Sequence, residues 1–194
     1  MAPEDKLLNE FMWQPCANMH VSWWQALQLG KWQDIYYRSR LLNKRVNKLA
    51  VSLLPAFDRS MTLSLTTQDK LLLNLGDKLL VLLTGVGLIL LNSPDYITMR
   101  QYREALLSVF TYEQIQQMLS LWPEGGDIGH CSAETLIKTA QHIAIKQFNN
   151  QWKDSQVWQA LRPTLPFIDE EDLVSIDTSI HDAQRWLFRL ERFI

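Results

Sequence analysis

LLVLLTGVGLILL, Leu79 to Leu91, decides how this chain folds. Its thirteen residues carry no charge and follow directly on Asp77 and Lys78. A bilayer span needs roughly twenty apolar residues, so the run is too short, and Thr84, Gly85 and Gly87 interrupt it. The expectation is a central buried helix, apolar on every side because other helices surround it. Gly85 and Gly87 either let a neighbouring helix close in or kink the helix that carries them.

The rest of the chain agrees with a helical body around that run. At 194 residues, with 47% hydrophobic and 21% charged residues, the composition is that of a globular protein, which excludes disorder and collagen. Seven Gly and seven Pro are few for many short strands, whereas Leu, Gln and Ala are plentiful. The expected fold class is therefore all-α, a compact multi-helix domain over 31–194 preceded by a weakly structured aromatic N-terminal segment, 1–30. A sub-boundary is expected at 123–131, where PEGGDIGH holds three of the glycines.

Going outward from the apolar run, the pattern predicts one helix from about Trp32 to Leu54. Ile35, Leu42, Val46, Leu49 and Leu53 form its core stripe, and Arg40, Lys44 and Lys48 a basic face. A second helix is predicted from Thr67, with Thr67 as cap, through the apolar run to Asn92. Ser93 as N-cap and Pro94 open a third, to Phe110, with Met99, Tyr102, Leu106 and Val109 inward. Thr111 and Gln114 form a capping box ahead of Ile115, Met118, Leu119 and Trp122. Ser132 caps a helix carrying Leu136, Ala140, Ile143 and Ala144 inward, a short helix covers Gln156 to Leu161, and the last runs from about Ser179 to Phe193.

Chemistry-bearing signatures are missing from the sequence. It has no Gly-rich phosphate loop, G-x-S-x-G elbow, H-E-x-x-H or paired C-x-x-C, so no enzyme and no cofactor are expected. Cys16, His20, His130 and Cys131 could be assembled as zinc ligands, but Pro15 disfavours a regular helix through Cys16, and lone cysteines usually behave as core hydrophobes. The two thiols are expected to be free in a reducing cytoplasm, because the first ten residues carry acids where a secretory signal would carry bases. Net charge −2 and the absence of Lys or Arg from Tyr112 to Leu121 argue against nucleic acid, although Arg103 to Trp122 resembles two helices joined by a tight turn.

What remains is surface. Arg40, Lys44 and Lys48 suit an acidic partner, and Glu170, Glu171 and Asp172, in an acidic stretch without Lys or Arg, suit a basic one. Trp13, Trp23, Trp24 and Trp32 crowd the N-terminal segment, where aromatics either pack back on the core or anchor a partner, Trp23 and Trp24 being the anchor candidates.

Pro15 to His20 reads P-C-A-N-M-H. This resembles the P-x-x-Tyr-aliphatic-His element of the cytoplasmic adaptors of bacterial type III secretion systems, the family that includes YscK, OrgA and MxiK. Pro15, Met19 and His20 match, and Asn18 stands where the family has Tyr. The leucine-rich middle through QIQQMLSLWP is similar as well. The resemblance implies a non-enzymatic connector between the sorting platform and the inner-membrane ring of the injectisome. The implied partners are the pod-forming platform protein and the cytoplasmic domain of the ring protein. The implied location is the cytoplasmic face of the inner membrane, reached through those partners without insertion. The alternatives are another soluble helical interaction protein, such as a secretion chaperone or regulator, and a helix-turn-helix protein.

Overall fold

Why the chain breaks where it does is visible in a computed structural model, which describes residues 2–57, 59, 64–122, 131–169 and 183–194. Among the described residues there are twelve α-helices, two short 3₁₀ turns and no strand, so the protein is all-α. The helices are α1 (Pro3–Trp13), α2 (Val21–Ala26), α3 (Gly30–Arg38), α4 (Arg40–Leu53), α5 (Thr67–Leu75) and α6 (Lys78–Leu90). They continue with α7 (Asp95–Thr98), α8 (Arg100–Leu106), α9 (Tyr112–Ser120), α10 (Ala133–Gln151), α11 (Gln156–Leu161) and α12 (Ala183–Leu190).

Contacts divide the chain into two units, Met1–Gly76 with Trp152–Phe167, and Asp77–Gln151 with Ile168–Ile194. The division at residue 30 expected from composition is not followed. Residues 2–30 share a unit with α3, α4 and α5, because their aromatics supply its core. That segment also has more regular structure than its weak periodicity predicted, including the eleven-residue α1 with Pro3 at its first position and Glu4 and Asp5 at the positive end of the dipole. The sub-boundary at 123–131 falls almost wholly on 123–130, outside the described residues.

In the first unit the core gathers Cys16, Met19, Trp23, Trp24, Leu29, Tyr36, Val46, Ala50 and Leu54, with Leu27, Trp32 and Phe167 packed against it. The single helix expected from Trp32 to Leu54 is two, because Ser39 leaves the helical region at φ −125° and ψ 97°. The break resets the phase of the stripe. Val46 and Ala50 face inward with Tyr36 and Asn47, while Ile35, Leu49 and Leu53 are exposed. Thr66, not Thr67, caps α5, its hydroxyl accepting from the Asp69 N–H at 3.1 Å while the Asp69 carboxylate accepts from the Thr66 N–H at 3.0 Å. The helix then stops at Gly76, whose φ of +48° suits glycine far better than any residue with a Cβ. The predicted continuous helix from Thr67 to Asn92 is broken there, and the boundary between the two units follows it.

The second unit is organised on α6, which is buried from Leu82 through Leu90 without a gap. No single helix among the described residues is long and apolar enough to cross a membrane. Of the two roles open to its glycines, close approach is the one seen. A Cβ on Gly87 would fall onto the Ala140 carbonyl of α10, and one on Gly85 would lie 2.9 Å from Cδ1 of Leu190 on α12. α6 stays one helix through both positions. The buried Thr84 hydroxyl donates to the Leu80 carbonyl at 2.7 Å and accepts from Gln141 Nε2 of α10 at 3.1 Å, so no polar group is stranded at this crossing.

Around α6, Thr111 and Gln114 form the expected capping box and bring Ile115 and Met118 inward. The hydroxyl of Ser132 accepts from the Thr135 N–H at 3.3 Å ahead of α10. Leu136, Ala140 and Ala144 are buried on α10 as predicted, whereas Ile143 is only half-buried and Ile145 and Phe148 complete the buried side. The third predicted helix is again two, α7 and α8, separated at Met99 with ψ 136°. Ser93 marks its start through the backbone carbonyl, which accepts from the Tyr96 N–H, and its hydroxyl has no partner among the described residues. α11 coincides with the predicted Gln156–Leu161, and α12 buries Ala183, Leu187 and Leu190. The predicted start of the last helix, 179–182, lies outside the described residues.

The Gly87 crossing yields a direct expectation. Ala normally stabilises a helix interior over Gly by about 1 kcal/mol. At Gly87 the added methyl meets backbone that cannot swing aside, an overpacking cost of about 1–3 kcal/mol or more. Urea unfolding of Gly87→Ala followed by helical circular dichroism should show a net loss of about 1 kcal/mol or more. Gly85→Ala, opposed only by the tip of Leu190, should lose much less.

Candidate functional site

The family-like element is built into the first unit as a fastener. Pro15 opens a 3₁₀ turn, Pro15–Ala17, and is itself buried. The Cys16 N–H donates to Oδ1 of the buried Asn47 on α4 at 3.1 Å, and Cys16 is fully enclosed. Burial pushes the Cys16 thiol up to about 12, so it stays protonated at neutral pH and is a poor ligand or nucleophile. Met19 enters the same core. Asn18 is exposed, so the position that departs from the family's Tyr takes no part in the interior.

His20 caps α2 with its ring. Nδ1 accepts from the Ser22 N–H at 3.3 Å and lies 2.8 Å from Ser22 Oγ, an arrangement that needs neutral imidazole with its proton on Nε2. Burial holds its pKa below the usual histidine value. Three further hydrogen bonds reach the segment after α11: the His20 N–H to the Pro163 carbonyl at 2.9 Å, Trp23 Nε1 to the Leu165 carbonyl at 2.8 Å, and the Phe167 N–H to Ser22 Oγ at 2.7 Å. Pro163 sits within the 3₁₀ turn Arg162–Thr164, and Leu165, which closes that turn, has extended backbone at φ −98° and ψ 160°. Trp23 adds an edge-to-face contact with Phe167, ring centroids 4.9 Å apart, and the Arg162 guanidinium lies 5.7 Å from its ring centroid.

This placement corrects the reading of Trp23 and Trp24 as partner anchors. They are 2% and 0% exposed, and Trp24 packs against Tyr36 at 5.8 Å. The aromatics that a partner can reach in this region are Trp13, 49% exposed, and Tyr37.

Arg40, Lys44 and Lys48 are exposed on α4, as their four-residue spacing requires, and Arg45 joins them. α4 has no acidic residue in its fourteen. Lys44 and Lys48 border a surface trough of about 430 Å³ lined also by Trp13, Gln14, Asn43, Asn47 and Val51. α1 contributes Trp13 and its C-cap Gln14, while α4 contributes the rest. Sequence reasoning missed the trough because it joins the end of one helix to the flank of another. Glu170, Glu171 and Asp172 lie outside the described residues, and Asp169 before them is exposed.

A second hollow of the same unit, about 290 Å³, is lined by residues that include Thr66, Asp69 and Ser155. Two of its hydroxyls are committed to helix ends, Thr66 to the Asp69 N–H and Ser155 to the Trp158 N–H at 3.2 Å. No group of three or more His, Cys, Asp or Glu among the described residues is placed to hold a metal ion. Cys131, paired on paper with Cys16, is free, with its backbone held between Tyr96 and Tyr102. The suggested reading helix of a helix-turn-helix, Tyr112 to Leu121, exposes no Lys or Arg, since it contains none.

The chain belongs to the type III secretion system subunit family, whose model matches residues 6–167. That span takes in the Pro15–His20 element and also Pro163, Leu165 and Phe167, the hydrogen-bond partners of His20, Trp23 and Ser22. No curated protein and no solved structure gives a significant match.

The cap at His20 makes unit stability depend on pH. The unfolded imidazole titrates near 6.5 and the folded one lower, so the unfolded chain takes up the proton first. The contribution is complete above the unfolded pKa and is lost as pH falls through the folded one. Urea midpoints at about pH 7.5 and about pH 5.5 should fall more for the wild type than for His20→Asn, which keeps an acceptor for the Ser22 N–H without a titrating ring.

Proposed function

We propose that this secretion-system subunit is the non-enzymatic adaptor that links the cytoplasmic sorting platform to the inner-membrane ring of the injectisome. Its partners in this reading are the pod-forming platform protein and the cytoplasmic domain of the ring protein. It sits at the cytoplasmic face of the inner membrane, held there by protein contacts. Support comes from the family match and from the Pro15, Met19 and His20 resemblance. The observation that carries the reading is the basic edge of α4, where Arg40, Lys44 and Lys48 stand exposed with no acidic residue on their own helix. Complementary charge of this kind steers encounter and fixes register between subunits. Glu170, Glu171 and Asp172 supply the opposite sign for the second partner.

Affinity co-purification from the native bacterium tests this. The wild-type chain should retain both the pod-forming protein and the ring protein. Arg40→Glu, Lys44→Glu and Lys48→Glu combined should lose one of them and keep the other. Retention of both by the reversed chain would defeat the charge assignment, and capture of neither by the wild type would defeat the adaptor reading.

A further inference from the structure

The trough at the end of α1 is specific enough to name what enters it. We propose that it receives an acidic amphipathic helix of a partner protein, with carboxylates set against Lys44 and Lys48 and an apolar side chain laid between Trp13 and Val51. The inference rests on the adaptor reading for the kind of molecule that binds, and on the trough alone for its chemistry.

Charge comes first. None of the seven lining residues is acidic, and α4 places four cations, Arg40, Lys44, Arg45 and Lys48, on its exposed side in a chain whose net charge is −2. No salt bridge joins any of these four to another of the described residues. Cations gathered against the overall sign of the chain, and unpaired among the described residues, are matched by an anionic partner.

Shape and spacing come next. From Asn43 to Val51 the α4 wall covers nine residues, a rise of about 12 Å, or roughly two turns of a helix laid alongside. Lys44 and Lys48 are one turn apart, so carboxylates four residues apart on the incoming helix meet both. The apolar requirement comes from Trp13, half exposed at the rim, and from Val51. A partly exposed Trp beside cations is the composition from which binding hot spots are made. Within the wall Asn47 Oδ1 already accepts from the Cys16 N–H. A concave trough with a single aromatic wall suits a convex helix, whereas a bilayer surface favours an amphipathic face laid flat on it.

Photocrosslinking in the full chain provides the test. Benzoylphenylalanine replaces Gln14, which lines the trough without contributing charge, and a control carries it at the exposed Leu107 of the second unit. The strain is the native bacterium, and adducts are mapped by mass spectrometry. The expected product joins position 14 to an acidic helical segment of a secretion-system protein. Its yield should fall about tenfold or more with Lys44→Glu and Lys48→Glu combined, and by a smaller factor with Lys44→Gln and Lys48→Gln. Trp13→Ala should also reduce it, while the adducts from position 107 stay unchanged. An adduct with phospholipid, nucleic acid or a basic or uncharged segment overturns the proposal, as does an acidic adduct indifferent to the lysines or no adduct above the control. Co-purification of both platform partners without a trough adduct removes the trough and leaves the adaptor. A lysine-dependent acidic adduct with some other secretion-system protein, without those partners, removes the adaptor and leaves the trough.

Discussion

The interaction on which the first unit depends is the tie between α2 and the stretch Pro163–Phe167. Its side-chain hydrogen bonds join residues 142 and 145 positions apart, so neither end can complete the unit alone. Each is worth about 1 kcal/mol net, but losing one partner costs more than that, because the other is left buried and unsatisfied. Trp23 is buried, and an indole N–H without the Leu165 carbonyl would sit stranded in an apolar core. Ser22 is shared between the Phe167 N–H and the His20 ring, which also couples the tie to the protonation state of His20.

That tie also explains what the resemblance at Pro15 to His20 is made of. Pro15 starts the turn, Cys16 bonds α4, Met19 fills the core, and His20 caps α2 while bonding Pro163. All four act inward, on folding. The surface offered outward is carried by α4 and the end of α1, which the same turn fixes in place through the Cys16–Asn47 bond. The second unit obeys a different constraint. Its central helix is buried nearly all round, so it depends on the close crossing of Gly87 with Ala140 and on the pairing of Thr84 with Gln141.

Much of this was legible in the residues, for local reasons. The charge-free run Leu79–Leu91 is a core helix because few other environments suit it, and the Thr111–Gln114 cap works through contacts three residues apart. The four-residue spacing of Arg40, Lys44 and Lys48 suffices to put them on one exposed edge. The breaks at Ser39, Gly76 and Met99 are not legible in the sequence pattern, because the apolar residues run on across each of them. Gly76 carried a usable signal, a glycine directly before the charged pair Asp77 and Lys78. The phase of α4 was hidden for a further reason. Asn47 is buried because a backbone donor thirty-one residues away needs its oxygen, and no periodicity rule anticipates that. Trp23 was ambiguous on the same ground, since its partner Leu165 belongs to the far side of the sequence.

Amide hydrogen exchange measures the central claim, that residues from both ends of the sequence close one cooperative unit through this tie. The N–H groups of His20 and Phe167 should exchange with the same opening free energy as the buried turn of α4 around Ala50. Trp23→Phe, which keeps a ring but removes the donor to Leu165, should lower all of them together. Rapid exchange at Phe167 and His20 beside undiminished protection in α4 would contradict it.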